Sequence, residues 1–110
     1  MTTLSTHVLD TAHGCPAAGM AVTLLSSDGT KLFSGVTDAD GRCPGLPEPA
    51  AGTYRLEFAV ADYFRAKGVA HTSPPFLDLI SIAFGVAAGG GHYHVPLLVA
   101  PYGYSTYRGS

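Results

Sequence analysis

The sequence predicts an all-β sandwich with one short helix. Three observations carry that reading. Apolar residues alternate with polar ones at a period of two in several short runs. Glycine, proline, aspartate and asparagine-like turn chemistry separates those runs at short intervals. Only one segment, of about two turns, has the composition of a helix. About seven or eight short strands fit this pattern, as a sandwich requires.

Leu4 to Thr11 reads as the first strand, with Leu4, Thr6 and Val8 on one side and Ser5, His7 and Leu9 on the other. If Val8 faces the core, His7 faces outward. Ala12-His13-Gly14-Cys15-Pro16 reads as a turn, because Gly and Pro break extended pairing. Met20, Val22 and Leu24 alternate with Ala21, Thr23 and Leu25 in a second strand. Ser27-Asp28-Gly29 marks a hairpin turn, and Lys31 to Thr37 returns as a third strand. Thr37 to Arg42, TDADGR, is rich in turn residues. The proline- and glycine-rich stretch from Cys43 to Gly52 has room for at most a very short strand. Tyr54, Leu56, Phe58 and Val60 then form the clearest half-buried face in the chain. Ala61 to Lys67 is the helical segment, with an acid in its first turn, Lys67 in its last and Gly68 beyond. Asp78, Ile80, Ile82, Phe84 and Val86 line the next strand, and Gly89-Gly90-Gly91 turns into the last hairpin. In that hairpin Tyr93, Val95, Leu97 and Val99 should bury, which leaves His92, His94 and Leu98 on the opposite face. Pro96 is awkward there, since it has no N–H for a ladder.

Composition bounds the function. The 110 residues suit one domain spanning 1–110. Hydrophobic residues make up 46% and charged residues only 13%, so part of the surface should be covered by further copies of the chain. The net charge of −2 has no charge run behind it, which excludes a nucleic-acid footprint. No stretch approaches the roughly 20 apolar residues of a membrane span. MTTLSTHVLDT has neither a basic segment nor an apolar signal core, so a cytoplasmic location is expected. Cys15 and Cys43 are then expected to be free thiols.

The candidate chemistry centres on imidazoles. His92 and His94, at i and i+2 of one strand, point the same way. They suit general acid–base work. A metal pair is a weaker alternative, because zinc needs further ligands and no second ligand pair is present in the sequence. Two solvated surface histidines are the plain alternative. His7 alone would be a surface residue, Arg42 a solvated turn arginine, Tyr107 a packing residue and Ser105 a strand serine. His13 and His71 lie in loops and receive no role. No serine or cysteine sits in a nucleophile motif.

The opening LSTHVLDT, the loop TDADGR, the segment DYFRAKG followed by PPF, and above all HYHVPLL with PYGYSTYRGS resemble the transthyretin-like family, and within it the 5-hydroxyisourate hydrolase branch. The resemblance covers nearly the whole chain. It implies a sandwich of two four-stranded sheets with one short helix, assembled as a homotetramer whose central channel is lined by the outward face of one sheet. It also implies hydrolysis of 5-hydroxyisourate in urate degradation, with no cofactor and no metal. Position by position, it makes His7, Arg42 and His94 the catalytic set. Tyr107, Ser110 and His92 become substrate contacts together with His7 and Arg42, His92 matching the motif with a less defined role. Two rivals stand beside this reading. One is a binding module that carries a small aromatic ligand in the channel; the other is a metal-binding or purely structural sandwich.

Overall fold

The computed structural model describes residues 2–109. The chain runs β1 (Thr2–Ser5), β2 (Val8–Asp10), β3 (Cys15–Pro16), β4 (Ala21–Ser26), β5 (Lys31–Val36), β6 (Gly52–Ala59), α1 (Val60–Ala66), β7 (Leu79–Val86), β8 (Gly91–His94), β9 (Leu97–Ala100) and β10 (Gly103–Thr106). One layer is the antiparallel sheet β5-β4-β6-β7. Its long arm pairs β6 with β7 from Gly52↔Val86 to Ala59↔Leu79. The alternation read from the sequence is what this layer uses: Val22, Leu24, Leu56, Phe58, Ile80 and Ile82 are all buried. The β4–β5 hairpin turns where Asp28 accepts hydrogen bonds from Ser26 Oγ and from the Thr30 N–H. Those bonds hold the Asp28 carboxyl down at about 2.

The facing layer comprises the four-stranded sheet β10-β9-β2-β3 and the two-stranded parallel pair β1-β8. Both parts use parallel pairing between the two ends of the chain: Leu4↔Tyr93 and Ser5↔His94 in one, Val8↔Leu97 and Asp10↔Val99 in the other. The hydrogen-bond ladder carries across the junction. Val95 N donates to Ser5 O at 2.9 Å, and Leu97 N donates to His7 O at 3.0 Å. Pro96 lies between these two donors, so its own nitrogen points away from β1 and β2, where no N–H is needed. Its carbonyl, on that other side, accepts from Thr106 Oγ1 at 2.7 Å. Thr6 sits inside the junction with 1% exposure and returns its hydroxyl to Val95 O at 2.6 Å.

Three local expectations change. The single strand expected over Leu4 to Thr11 divides at Thr6 and His7 into β1 and β2. Cys15 and Pro16 form a short edge strand against Leu9 and Asp10 instead of a plain turn; proline is tolerated there because an edge strand has a side without partners. The helix starts at Val60, one residue earlier than expected, and ends at Ala66. Val60 keeps the inward position that the alternation gives it and is fully buried. The seven-residue helix is too short to stand alone. It is held by buried Tyr63 and Phe64 and steadied by the Arg65–Asp62 ion pair at 2.7 Å. The core between the layers is closed by Phe58, Met20, Leu24 and Leu56 from one side and Leu97, Val8 and Val99 from the other. Each such side chain contributes about 1.5–3 kcal/mol of burial. Cys15 and Cys43 are free thiols, and burial raises the Cys43 pKa above its ordinary value.

Candidate active site

Because Leu4, Thr6 and Val8 turn inward, Thr3, Ser5 and His7 form an outward row on β1 and the junction after it. The parallel register lays the β8 residues beside them, Thr3 against His92 and Ser5 against His94. The result is a chain of side-chain contacts. Thr3 Oγ1 lies 2.6 Å from His92 Nδ1. Ser5 Oγ lies 2.9 Å from His92 Nε2 and 2.7 Å from His94 Nδ1. The two imidazoles lie nearly parallel, with centroids 6.3 Å apart. His94 therefore pairs with Ser5 and not directly with His7. His7 follows two residues further along the same row.

Arg42 reaches this face through its loop. Asp38 organises the turn: its Oδ1 accepts from the backbone N–H of Asp40 and of Arg42, each at 3.0 Å. The loop then docks on the first strand through an isolated bridge between His7 and Arg42, and Val8 N donates to Gly41 O at 2.8 Å. Gly41 has φ +78, and a side chain there would run into the Val8 carbonyl oxygen. Only glycine allows so close an approach. His7 Nε2 makes a 2.8 Å contact with Asp40 O, so its ring is held by the same loop. Arg42 is exposed, and it shares with Ser5, Asp38 and Cys43 an open cleft of about 320 Å³.

The end of the chain covers the other side of β8. Gly109 N donates to His94 O at 2.8 Å, and the two residues form an antiparallel bridge. A side chain at Gly109 would collide with the His94 ring. The Arg108 guanidinium stacks 4.2 Å from the centre of the Tyr93 ring. Tyr107 points elsewhere. It is 60% exposed and lines a separate cleft of about 300 Å³ with Phe84, Val95 and Arg108. Within one chain it does not close over His94. Ser110 lies outside the described residues.

These surroundings decide the charge on His94. Its pKa is lowered, first by burial, then by the Arg42 cation and the neighbouring His92 and His7 rings. The hydrogen bond with Ser5 acts the other way and is the smaller influence. His94 is thus neutral at pH 7, with Nδ1 engaged by Ser5 and Nε2 without a hydrogen-bond partner among the described residues. Among those residues, no three His, Cys, Asp or Glu side chains converge as a metal site would require. What the sequence does not reveal is Ser5 and Thr3. Their parity places them beside His7, but only the pairing of β1 with β8 brings them to the imidazoles.

The two-layer sandwich with one short helix is a transthyretin-like fold. The chain belongs to the HIUase/Transthyretin family, whose model matches residues 4–109. It is 51% identical over 115 residues to a 5-hydroxyisourate hydrolase of Caulobacter vibrioides, with all of both chains covered. Among solved structures it is similar to Klebsiella pneumoniae 5-hydroxyisourate hydrolase, with a TM-score of 0.85, 38% identity and all of both chains covered. It also resembles an (S)-allantoin synthase, with a TM-score of 0.92 and 41% identity over 99% of this chain; it spans 44% of that protein's length.

Proposed function

We propose that this protein is a 5-hydroxyisourate hydrolase, which opens a ring amide of 5-hydroxyisourate with water in urate degradation. Full-length similarity to proteins of that name supports the activity. The observation that carries the site is the outward row itself: a half-buried neutral imidazole, a second imidazole and a guanidinium held on one face by backbone pairing.

Amide opening needs a base for water, a cation or donor for the developing oxyanion, and a proton for the leaving nitrogen. His94 is the base, because it is kept neutral and presents Nε2. His7, fixed by the loop at Asp40, positions the water and the substrate edge. Arg42 receives the carbonyl oxygen, and its planar fork suits a urea-like edge. His92 supports His94 through Ser5. No cofactor or metal has a part in these steps.

The span 1–110 acts as one domain in a cytoplasmic homotetramer. The support is the apolar surface that a lone chain leaves open, including Val36, Leu79 and Tyr104 at 57%, 59% and 48% exposure. Tyr107 and Ser110, at the end of a chain that Gly109 pins to His94, complete substrate binding in that assembly. Among the described residues, no helix is long and apolar enough to cross a membrane.

The test is ultraviolet absorbance of 5-hydroxyisourate made in place from urate and urate oxidase. The protein should speed the decay, and His94→Asn should slow its turnover by about 100-fold or more. Arg42→Ala should also lose turnover. Decay at the spontaneous rate, or a fully active His94→Asn protein, contradicts the proposal.

A further inference from the structure

The hydroxyls of Ser5 and Thr3 do more than fill space between the imidazoles. We propose that Thr3, His92, Ser5 and His94 form a proton relay, in which Ser5 holds His94 in its basic tautomer and carries the proton it gains out to solvent. This rests on the hydrolase reading and adds Ser5 as its positioning residue.

Proton counting supports it. Each hydroxyl has one proton to give, and each neutral ring has one N–H and one bare nitrogen. Two arrangements run the four groups head to tail with both rings neutral. In the first, His94 Nδ1–H donates to Ser5, Ser5 donates to His92 Nε2, and His92 Nδ1–H donates to Thr3. His94 Nε2 is then bare and basic. In the second, every bond is reversed, and His94 Nε2 carries the proton. All three contacts, at 2.6, 2.9 and 2.7 Å, are short enough for transfer along the whole chain.

The step that links the two arrangements balances. The attacking water gives one proton to His94 Nε2, and its oxygen electron pair forms the bond to the carbonyl carbon. The His94 Nδ1 proton passes to Ser5 Oγ as the Ser5 proton passes to His92 Nε2. The His92 Nδ1 proton passes to Thr3 Oγ1, whose own proton leaves to solvent. One proton enters, one leaves, and no ring becomes an imidazolium. The reverse step resupplies a proton from solvent, and His94 Nε2 delivers its own to the leaving nitrogen as the carbon–nitrogen bond breaks.

The surroundings favour this route over a charged His94. Among the described residues, the charges that act on that ring come from Arg42, His92 and His7, none of them anionic. Its Nδ1 partner is a hydroxyl, which can pass a proton on but cannot neutralise a cation. At the far end of the chain of contacts His92 is exposed and Thr3 half-buried, so the exit is open to water.

Steady-state kinetics of Ser5→Ala, Ser5→Thr and Thr3→Val, joined to ¹⁵N spectra of the histidine rings, test the relay. Ser5→Ala should lower kcat by about 10- to 100-fold with KM little changed. Ser5→Thr, which keeps the hydroxyl, should recover to within about threefold, and Thr3→Val should lose about threefold. In the wild-type protein the His94 proton should reside on Nδ1, and in Ser5→Ala it should move to Nε2. An unchanged kcat and unchanged His94 nitrogen signals in Ser5→Ala overturn the relay, while an inactive His94→Asn in the same assay leaves the hydrolase reading intact. Equal losses in Ser5→Ala and Ser5→Thr, with a lowered melting temperature in both, overturn it in favour of a packing role. A fully active His94→Asn overturns the reading beneath it.

Discussion

Two histidines of this molecule make almost the same contact and are used in opposite ways. His13 Nδ1 lies 2.6 Å from Asp10 Oδ2, and His94 Nδ1 lies 2.7 Å from Ser5 Oγ. Asp10 is 1% exposed. It also accepts from the backbone N–H of Ala12 and His13, at 3.0 Å each, and from Tyr63 OH at 2.8 Å. Burial, the largest influence on this carboxyl, raises its pKa, yet the bonds from His13 and Tyr63 outweigh it and hold the group below its ordinary 3.8. The cluster ties β2, the turn after it and α1 together. The buried Asp10 carboxylate fixes the His13 ring in place. Burial first, and then the Arg42 cation, keep His94 neutral beside its hydroxyl partner. The first arrangement builds structure and the second leaves a base.

Predictions sharpen this contrast, beginning with the largest. Asp10→Asn should cost about 2–4 kcal/mol of stability, measured by denaturant unfolding, because the remaining buried donors lose a charged acceptor. Its turnover per folded molecule should stay near that of the wild type. A large loss of kcat with unchanged stability would erase the distinction. The wild-type cluster also has a pH signature. A carboxyl with a depressed folded pKa contributes its stability fully above its unfolded value near 3.8. That contribution is lost as pH falls through the lower folded value, so acid unfolding of Asp10→Asn should lack this component.

Gly109→Ala should act in the opposite sense. The new methyl group meets the His94 ring, so turnover should fall about tenfold with less than about 1 kcal/mol of stability lost. Unfolding and absorbance assays on one preparation separate the two effects. The smallest expected change is in pH dependence. Because the pKa of His94 is lowered, the acid limb of kcat/KM should inflect below the ordinary imidazole value of 6.5. Arg42→Lys keeps a cation and should leave that inflection in place. Arg42→Ala should move it upward without abolishing the depression, since burial, the larger cause, remains. An inflection at or above 6.5 in the wild-type protein contradicts a His94 held neutral.

Much of this was legible in the sequence, for reasons that also mark the limit. Alternation in HYHVPLLVA and LSTHVLDT places His92, His94 and His7 outward, since a strand has only two faces. The core faces of β4, β6 and β7 follow in the same way. Pairing is different, because parallel partners so far apart in the chain leave no local mark. The register sets His94 against Ser5, which the sequence does not indicate. Ser5 and Thr3 are small and neutral, so nothing in their chemistry pointed to a site. Gly41 was legible as a turn residue but not as the contact that seats Arg42 on Val8. His13 read as a loop residue without a role, because the Tyr63 that completes the cluster on its partner Asp10 arrives from the helix. The cleft of Tyr107 with Phe84 depends on how the two layers face each other, which alternation does not specify.

The most direct test sets the two histidines against each other in one experiment: absorbance-followed decay of 5-hydroxyisourate with equal folded amounts of wild-type, His94→Asn and His13→Asn protein. Turnover should be about 100-fold or more below wild type for His94→Asn and within about twofold of wild type for His13→Asn, whose cost should appear as a lower melting temperature. Equal turnover losses in the two variants, or a fully active His94→Asn, would contradict it.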